Sequence, residues 1–392
     1  MIQEYKDRLN NLKDIMHRQR IDIVILNCYI DIYYFSGTNQ LSTLVIPVED
    51  DPVLFVQVGF DRAETESWIT DIRRTTGADN ITDYLKDKKV DRAGIGINED
   101  TIPVFLYKKY IKQFPQATFM NISPFVLKVR LIKSEKEIAL IEKSAQVSFQ
   151  AHNSVPEILK ENMTELALAA KVEYVLRKNG HLGTTFSRRS GYSMPYGVIG
   201  PSGPNLGDIS GGGFITNTGR GLNSALPVGP SMRSIQKGEL IEVDIGTNVT
   251  GYHSDEARMY VLGRADEKQT RAFDIVFNAY EAALSVIRPG VKGKEVYHAA
   301  REVIEKAGYL EYFAGFSKYP MYNFLGHGVG LEINEAPLIN GKDETVFQPN
   351  MVIALEPKLV APDWGVTFED TLVVTETGYR LITRSKRELI AV

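Results

Sequence analysis

What this sequence lacks narrows it first. Cys28 is the one cysteine in 392 residues, so no disulfide can close within the chain. It sits in an apolar, strand-like run, where a thiol packs as a small, inert hydrophobe. Such sparing use of cysteine fits a reducing compartment, and a cytoplasmic protein is expected. Neither charge is in excess, since 45 basic and 49 acidic residues leave a net charge of −4. A nucleic-acid partner, which calls for a basic surface, is therefore not expected. No apolar run approaches the roughly 20 residues of a membrane span, so no membrane association is expected. The opening Met1-Ile2-Gln3-Glu4-Tyr5-Lys6 lacks the apolar core of a secretory signal. Short-period repeats are absent as well.

What is present is an alternation of helical and strand patterns long enough for two domains. Leu9, Leu12, Ile15 and Met16 recur at helical spacing, so an amphipathic helix opens the chain. Strands are expected at Ile21–Leu26, Ile30–Phe35, Leu44–Val48, Pro52–Val58 and Arg92–Ile97, with helices near 60–68 and 103–113. This describes an α/β domain over residues 1–128. Ser134 followed by Glu137 is a capping-box pattern that starts a long helix running towards His152. A second helix runs from Thr164 to the stop signal Asn179-Gly180. Residues 200–222, rich in Gly, Ser and Asn, read as a long loop or a loose hairpin. Strands then follow at Leu240–Ile245 and His253–Val261, helices at 266–287 and 293–307, and strands at Met351–Leu355, Val366–Thr375 and Tyr379–Thr383. A helix pair followed by strands thus occurs twice between 134 and 384, which suggests two similar halves sharing one sheet within a second domain over residues 134–392. The expected class is α/β (α+β).

Five residues in or beside these later strands read as one metal site. Asp244 and Asp255 lie on two runs joined by the turn Thr247–Gly251, which would bring both carboxylates to one face. His327 stands in Gly326-His327-Gly328-Val329-Gly330, where glycines let backbone approach the imidazole. Glu356 ends an apolar strand and Glu369 interrupts another. Four carboxylates cannot share an interior as free charges, because burying them unpaired is expensive. Oxygen donors with one imidazole suit Mn²⁺, Co²⁺, Fe²⁺ or Zn²⁺.

These five separated motifs, in this order, resemble the creatinase/aminopeptidase family with the pita-bread fold. Arg130-Leu131-Ile132-Lys133-Ser134 matches the start of that family's catalytic domain. The resemblance covers nearly the whole chain. It implies a creatinase-like N-terminal domain, a pita-bread metal-binding domain and a homodimer. It also implies two divalent metal ions. Asp244 would chelate one, Asp255 and Glu369 would bridge both, and His327 and Glu356 would hold the second. A water between the ions would be strongly acidified, with Glu356 accepting its proton.

The residues around this set depart from the family's pattern. Val228 stands where a histidine usually follows proline in Gly221–Gly229, and Asn334 replaces a second accessory histidine. Thr367 stands where Xaa-Pro members carry arginine, and Ala257 replaces a threonine beside the retained Arg258. Asn334 keeps a donor for an oxyanion but cannot shuttle protons. His253, two residues before Asp255, is a substitute acid–base candidate. Phe186–Tyr192 with Arg188 and Arg189, the loop 200–222, Tyr192 and Tyr196 are candidate substrate contacts.

The expected function is a dinuclear metal-dependent hydrolase of the Xaa-Pro aminopeptidase/dipeptidase kind, acting on a short peptide. Catalytic roles fall to Glu356, Asn334 and His253. The alternative reading is a pita-bread enzyme acting on a small amide or amidine substrate, or a lyase, because Val228 and Asn334 replace the accessory histidines. A binder without activity would have little reason to keep four clustered carboxylates.

Overall fold

A computed structural model describes residues 2–88, 90–188, 198–208, 218–314 and 324–392. Contacts divide the chain into two compact units, Met1–Arg130 with Arg188–Ser190, and Leu131–Ser187 with Gly191–Val392.

The first unit is built on a six-stranded mixed sheet. Its strands are β1 (Ile23–Leu26), β2 (Ser42–Pro47), β3 (Val53–Val56), β4 (Asp71–Arg74), β5 (Gly94–Ile97) and β6 (Thr118–Asn121), in the order β4-β3-β2-β1-β5-β6. The helices are α1 (Ile2–Gln19), α2 (Tyr29–Ser36), α3 (Phe60–Glu66), α4 (Ala78–Asp87), α5 (Val104–Gln113) and α6 (Ser123–Leu131). Here the expected strand at Ile30–Phe35 is corrected to the helix α2. A short apolar run has no period that separates a buried helix from a buried strand. Gly37, left-handed at φ 84°, closes this helix with its N–H donating to the Tyr33 carbonyl. Cys28 is buried at the start of α2, and burial pushes its thiol up to about 11.

The second unit carries α7 (Glu135–Ile158) and α8 (Glu165–Lys178), then β7 (Val198–Ile199), β8 (Leu240–Asn248) and β9 (His253–Val261). Next come α9 (Glu267–Val286), α10 (Gly293–Lys306), β10 (Phe324–Gly328), β11 (Glu335–Asn340), β12 (Val352–Leu355) and β13 (Lys358–Ala361). The remainder is β14 (Trp364–Thr367), β15 (Asp370–Val374), β16 (Tyr379–Leu381) and β17 (Ile390–Ala391). The capping box at Ser134 is formed, with both the Ser134 and the Glu137 side chains bonded to backbone.

Among the described residues the later strands form two main sheets and a small ribbon, not the single shared sheet expected. They are β17-β9-β8-β7, β11-β10-β12-β15-β16, and β13-β14. Each larger sheet has its own helix pair. Val147, Ala151 and Val155 of α7 and Leu168, Val172 and Leu176 of α8 pack with Ile241, Val243, Ile245 and Tyr260. Val276, Tyr280 and Leu284 of α9 and Val296 and Ile304 of α10 pack with Ile353, Leu355, Leu359 and Phe368. The helix-pair repeat is therefore real, but each half closes its own sheet. No described helix is long and apolar enough to cross a membrane.

Candidate metal centre

The aspartates are placed by strand register. In the antiparallel pair β8–β9, Asp244 lies opposite Ala257 and Asp255 opposite Gly246. The two are diagonal neighbours and share one face of the ribbon. The other face carries Val243, Ile245 and Tyr260 into the core with α7 and α8.

Glu369 reaches the same place through a break in the expected strand Val366–Thr375. That run divides into β14 and β15, and Phe368-Glu369 lie between them. Hydrogen bonds fasten this break to β9. The Glu369 N–H donates to the Ala257 carbonyl at 3.2 Å. The Asp255 N–H donates to Thr371 Oγ1 at 2.9 Å, and that hydroxyl donates to the Asp255 carbonyl at 2.7 Å. Beneath them Arg258, fully buried, donates to the Glu369 carbonyl and pairs with Glu256 at 3.0 Å and Asp370 at 2.5 Å. Its guanidinium lies 4.4 Å from the Phe368 ring centroid. Two carboxylates from different sheets are thus held by backbone bonds that do not use their own oxygens.

His327 sits on β10 between two glycines that could not be replaced. A Cβ on Gly326 would lie 2.2 Å from the Ala354 carbonyl oxygen, and one on Gly328 would lie 2.0 Å from that of Ala336. Nδ1 of His327 lies 3.0 Å from the Gly328 carbonyl oxygen. A carbonyl only accepts, so this contact puts the proton on Nδ1 and leaves the Nε2 lone pair free. Nε2 faces Glu356 Oε1 at 3.3 Å and Asp255 Oδ2 at 3.7 Å. Among the described residues, His327 brings a ring nitrogen within 4 Å of this cluster's carboxylates. Ligand atoms of Asp255, His327 and Glu369 all lie within 4.8 Å of one another.

The electrostatics are those of a site built for cations. Burial, and then the Asp244 and Glu356 carboxylates, hold Asp255 well above the usual carboxylate range. Burial, with Asp255 next, does the same to Glu369. Burial raises Asp244 to about 6. Glu369 Oε1 is buried with no hydrogen-bond partner among the described residues. An unpartnered carboxylate oxygen facing other carboxylates fits a divalent metal, whose charge would relieve both the repulsion and the missing bond.

Sequence reasoning missed two charged residues here. Lys358 starts β13 with Nζ 2.6 Å from Glu356 Oε2. Burial alone would raise Glu356, but the Lys358 ammonium beside it outweighs that and brings Glu356 down to about 2. Glu242, two residues before Asp244 on β8, is buried, and burial holds it well above its ordinary range. Alternation along β8 places Glu242 on the face of Asp244. For Lys358, the available signal was a lysine inside the apolar stretch Ile353–Ala361.

The remaining candidates are placed differently. His253 is fully buried rather than facing outward. Its Nε2 accepts from the Phe186 N–H at 3.0 Å, and Nδ1 lies 3.0 Å from the Gly330 carbonyl oxygen. Asn334 is half-buried just ahead of β11. Val228 is buried, with its backbone packed against Gly221, which is left-handed at φ 66°. Thr367 is buried and faces Lys358 across β13–β14. Arg188 pairs with Asp100 at 2.7 Å and Asp31 at 3.1 Å. Arg189, Tyr192, Tyr196 and residues 209–217 of the expected loop lie outside the described residues.

Comparison with known proteins places the chain. Residues 139–376 match metallopeptidase family M24, and residues 8–132 match the creatinase/prolidase N-terminal domain. The chain is 32% identical to an Xaa-Pro dipeptidase of Pyrococcus furiosus, over 98% of this chain and 100% of that protein. It is 30% identical to the solved prolidase of Pyrococcus horikoshii, with a TM-score of 0.82 over 98% of this chain and all of that one. An Xaa-Pro dipeptidase structure from Bacillus anthracis gives a TM-score of 0.84 at 25% identity, over 99% and 100% of the two chains.

Proposed function

The chain belongs to metallopeptidase family M24 and is a peptidase hydrolase, and from that premise we propose that it is a metal-dependent dipeptidase cleaving Xaa-Pro bonds in short peptides. The observation that carries the reading is likeness over full length to Xaa-Pro dipeptidases, joined to a carboxylate–imidazole cluster that fits divalent metal. This favours peptide hydrolysis over the small-amide or lyase alternative raised by Val228 and Asn334.

Asp244, Asp255, His327, Glu356 and Glu369 hold two divalent ions in this reading, with manganese the first to try. Bound metal supplies acidity to a water and positive charge for a developing oxyanion. The chain's own residues do the rest. Thr371 and Arg258 hold the backbones of Asp255 and Glu369 in place beside each other. The Gly328 carbonyl fixes the His327 tautomer. Glu356, ionised beside Lys358, accepts the proton of the attacking water. His253 serves as a positioning residue, since both its nitrogens meet backbone groups. Asn334 donates its amide to the substrate carbonyl.

The test is hydrolysis of a panel of Xaa-Pro dipeptides after chelation and add-back of Mn²⁺, Co²⁺, Fe²⁺ or Zn²⁺. Turnover should need the metal. Asp255→Ala should lower kcat by about 10²–10³-fold or more, the scale of losing an electrostatic stabiliser. Absence of turnover with every metal would reject the reading. The same reading includes a cytoplasmic homodimer, which sedimentation velocity and cell fractionation test.

A further inference from the structure

Lys358 has no role in the chemistry so far beyond keeping Glu356 ionised, yet its placement is specific. It is an almost fully buried ammonium, 2.6 Å from Glu356 Oε2, while Glu356 Oε1 faces His327 Nε2 at 3.3 Å. One oxygen of Glu356 is therefore taken by Lys358 and the other is turned towards the centre. Beyond Glu356, the ammonium interacts electrostatically with Glu242, Asp244 and Glu369. Glu242 Oε2 is itself buried and has no hydrogen-bond partner among the described residues. A buried charge of this kind is tolerated only where opposite charge surrounds it.

The strand register adds a second observation. Lys358 lies directly opposite Thr367, and Thr367 lies two residues before Glu369. Directly opposed residues have Cβ atoms about 4.5–5.5 Å apart on one face. A long cationic side chain at either position therefore reaches the same carboxylates. Thr367, small and fully buried, leaves the space to Lys358. It is also the position noted above where an arginine is missing.

We propose, resting on the metal-dependent reading, that Lys358 is the positioning cation of the centre. By holding Oε2 of Glu356 it fixes the direction of Oε1 towards His327 and the metal. It supplies from β13 a positive charge that position 367 on β14 is equally placed to supply. Partners of this kind, which orient a metal ligand without touching the metal, are worth about 10–100-fold in metal affinity or activity.

The experiment compares wild type, K358A, K358R and the strand swap K358A/T367R. Mn²⁺ binding is measured by calorimetry on chelated protein, alongside kcat and KM on an Xaa-Pro dipeptide. K358A should bind Mn²⁺ about 10–100-fold more weakly, with kcat reduced more than KM is raised. K358R should recover most of the loss, and K358A/T367R should bind Mn²⁺ at least about tenfold more tightly than K358A, the lower end of that range. Unchanged binding in K358A would overturn the proposal. So would tighter binding, since that would make Lys358 only a charge that repels the metal. Failure of the strand swap to restore binding, with K358R active, would overturn the exchange between strands. Where K358A does not fold, K358Q carries the comparison, because it keeps a donor to Glu356 without the charge. Wild type that binds Mn²⁺ but cleaves no peptide would reject the dipeptidase reading, while the affinity series would still decide the role of Lys358.

Discussion

Arg258 shows how much of this centre depends on a residue that never faces the metal. Its guanidinium lies on the far face of β9, saturated by Glu256, Asp370 and the carbonyls of Glu369, Lys386 and Ser385. Asp370 in turn accepts from Tyr280 and Thr383, each at 2.7 Å. Net stabilisation from such a buried network is modest, because desolvating the charges offsets much of their attraction. Breaking it is another matter, since buried Glu256 loses its arginine and Asp370 keeps only Arg387, 3.5 Å away. Arg258→Met should therefore destabilise the protein by about 3–5 kcal/mol, seen as a lower urea midpoint. It should also weaken metal binding, because the Glu369 carbonyl loses the donor that holds the break between β14 and β15. A midpoint equal to that of wild type would mean the network carries no such weight. The sequence reading noted Arg258 only as a retained motif residue. Its burial was not visible there, because an arginine in a strand is usually at the surface.

At the scale of elements, the sequence was most legible where local chemistry decides the outcome. The capping box at Ser134, the N-cap at Thr164 and the long 3.6-residue periods of α7 to α10 are local signals, and the helices stand where these signals put them. The five acidic and imidazole residues were legible for a related reason. Ionisable groups in apolar strands are rare enough to demand an explanation. What was not legible depends on partners distant in sequence. The helix α2 has an apolar run without a period, and tertiary burial on several sides chose helix over strand. Lys358 escaped notice because, apart from Glu356 two residues away, its carboxylate partners Glu242, Asp244 and Glu369 come from distant parts of the chain. The separate β13-β14 ribbon turned on the break at Phe368-Glu369, which no propensity marks. Gly326 on β10 makes the element-scale argument testable. Its Cβ would lie 2.2 Å from the Ala354 carbonyl oxygen of the paired strand β12, a contact that neither backbone can absorb without moving. Gly326→Ala should cost about 1–3 kcal/mol or more as overpacking, lower the melting temperature and displace His327, with a matching loss of metal affinity. An alanine variant that melts and binds metal like wild type would show that β10 and β12 have slack this packing denies.

At the scale of the whole molecule, the cluster sets how stability depends on pH and on metal together. The groups that face one another are Asp244, Asp255, Glu356 and Glu369, with Lys358 and His327 among them. In the metal-free protein Asp244 rises from an ordinary 3.8 to about 6, chiefly by burial, and Asp255 and Glu369 shift in the same direction. A carboxylate whose native pKa is raised binds its proton more tightly folded than unfolded. Its favourable contribution is therefore complete below the unfolded value and is lost as pH rises through the folded one. Glu356 runs the opposite way, but its window lies between about 2 and an ordinary 4.5, below the pH range that matters here. Metal-free protein should thus lose stability from about pH 4 through about 6 as Asp244 ionises, and go on losing it above that as Asp255 and Glu369 ionise. Divalent metal supplies the missing positive charge and removes that penalty, besides stabilising by binding the native state alone. The gap in melting temperature between metal-loaded and chelated protein should widen by several degrees from pH 5 to pH 7.5. The shift at Asp244 alone corresponds to a change on the order of 1–3 kcal/mol. Thermal melts at the two pH values, with and without excess Mn²⁺, measure this directly. A gap that stays constant or narrows would mean that the carboxylates are not mutually repelling in the metal-free fold. The case for a cation-dependent centre would then rest on the donor arrangement alone.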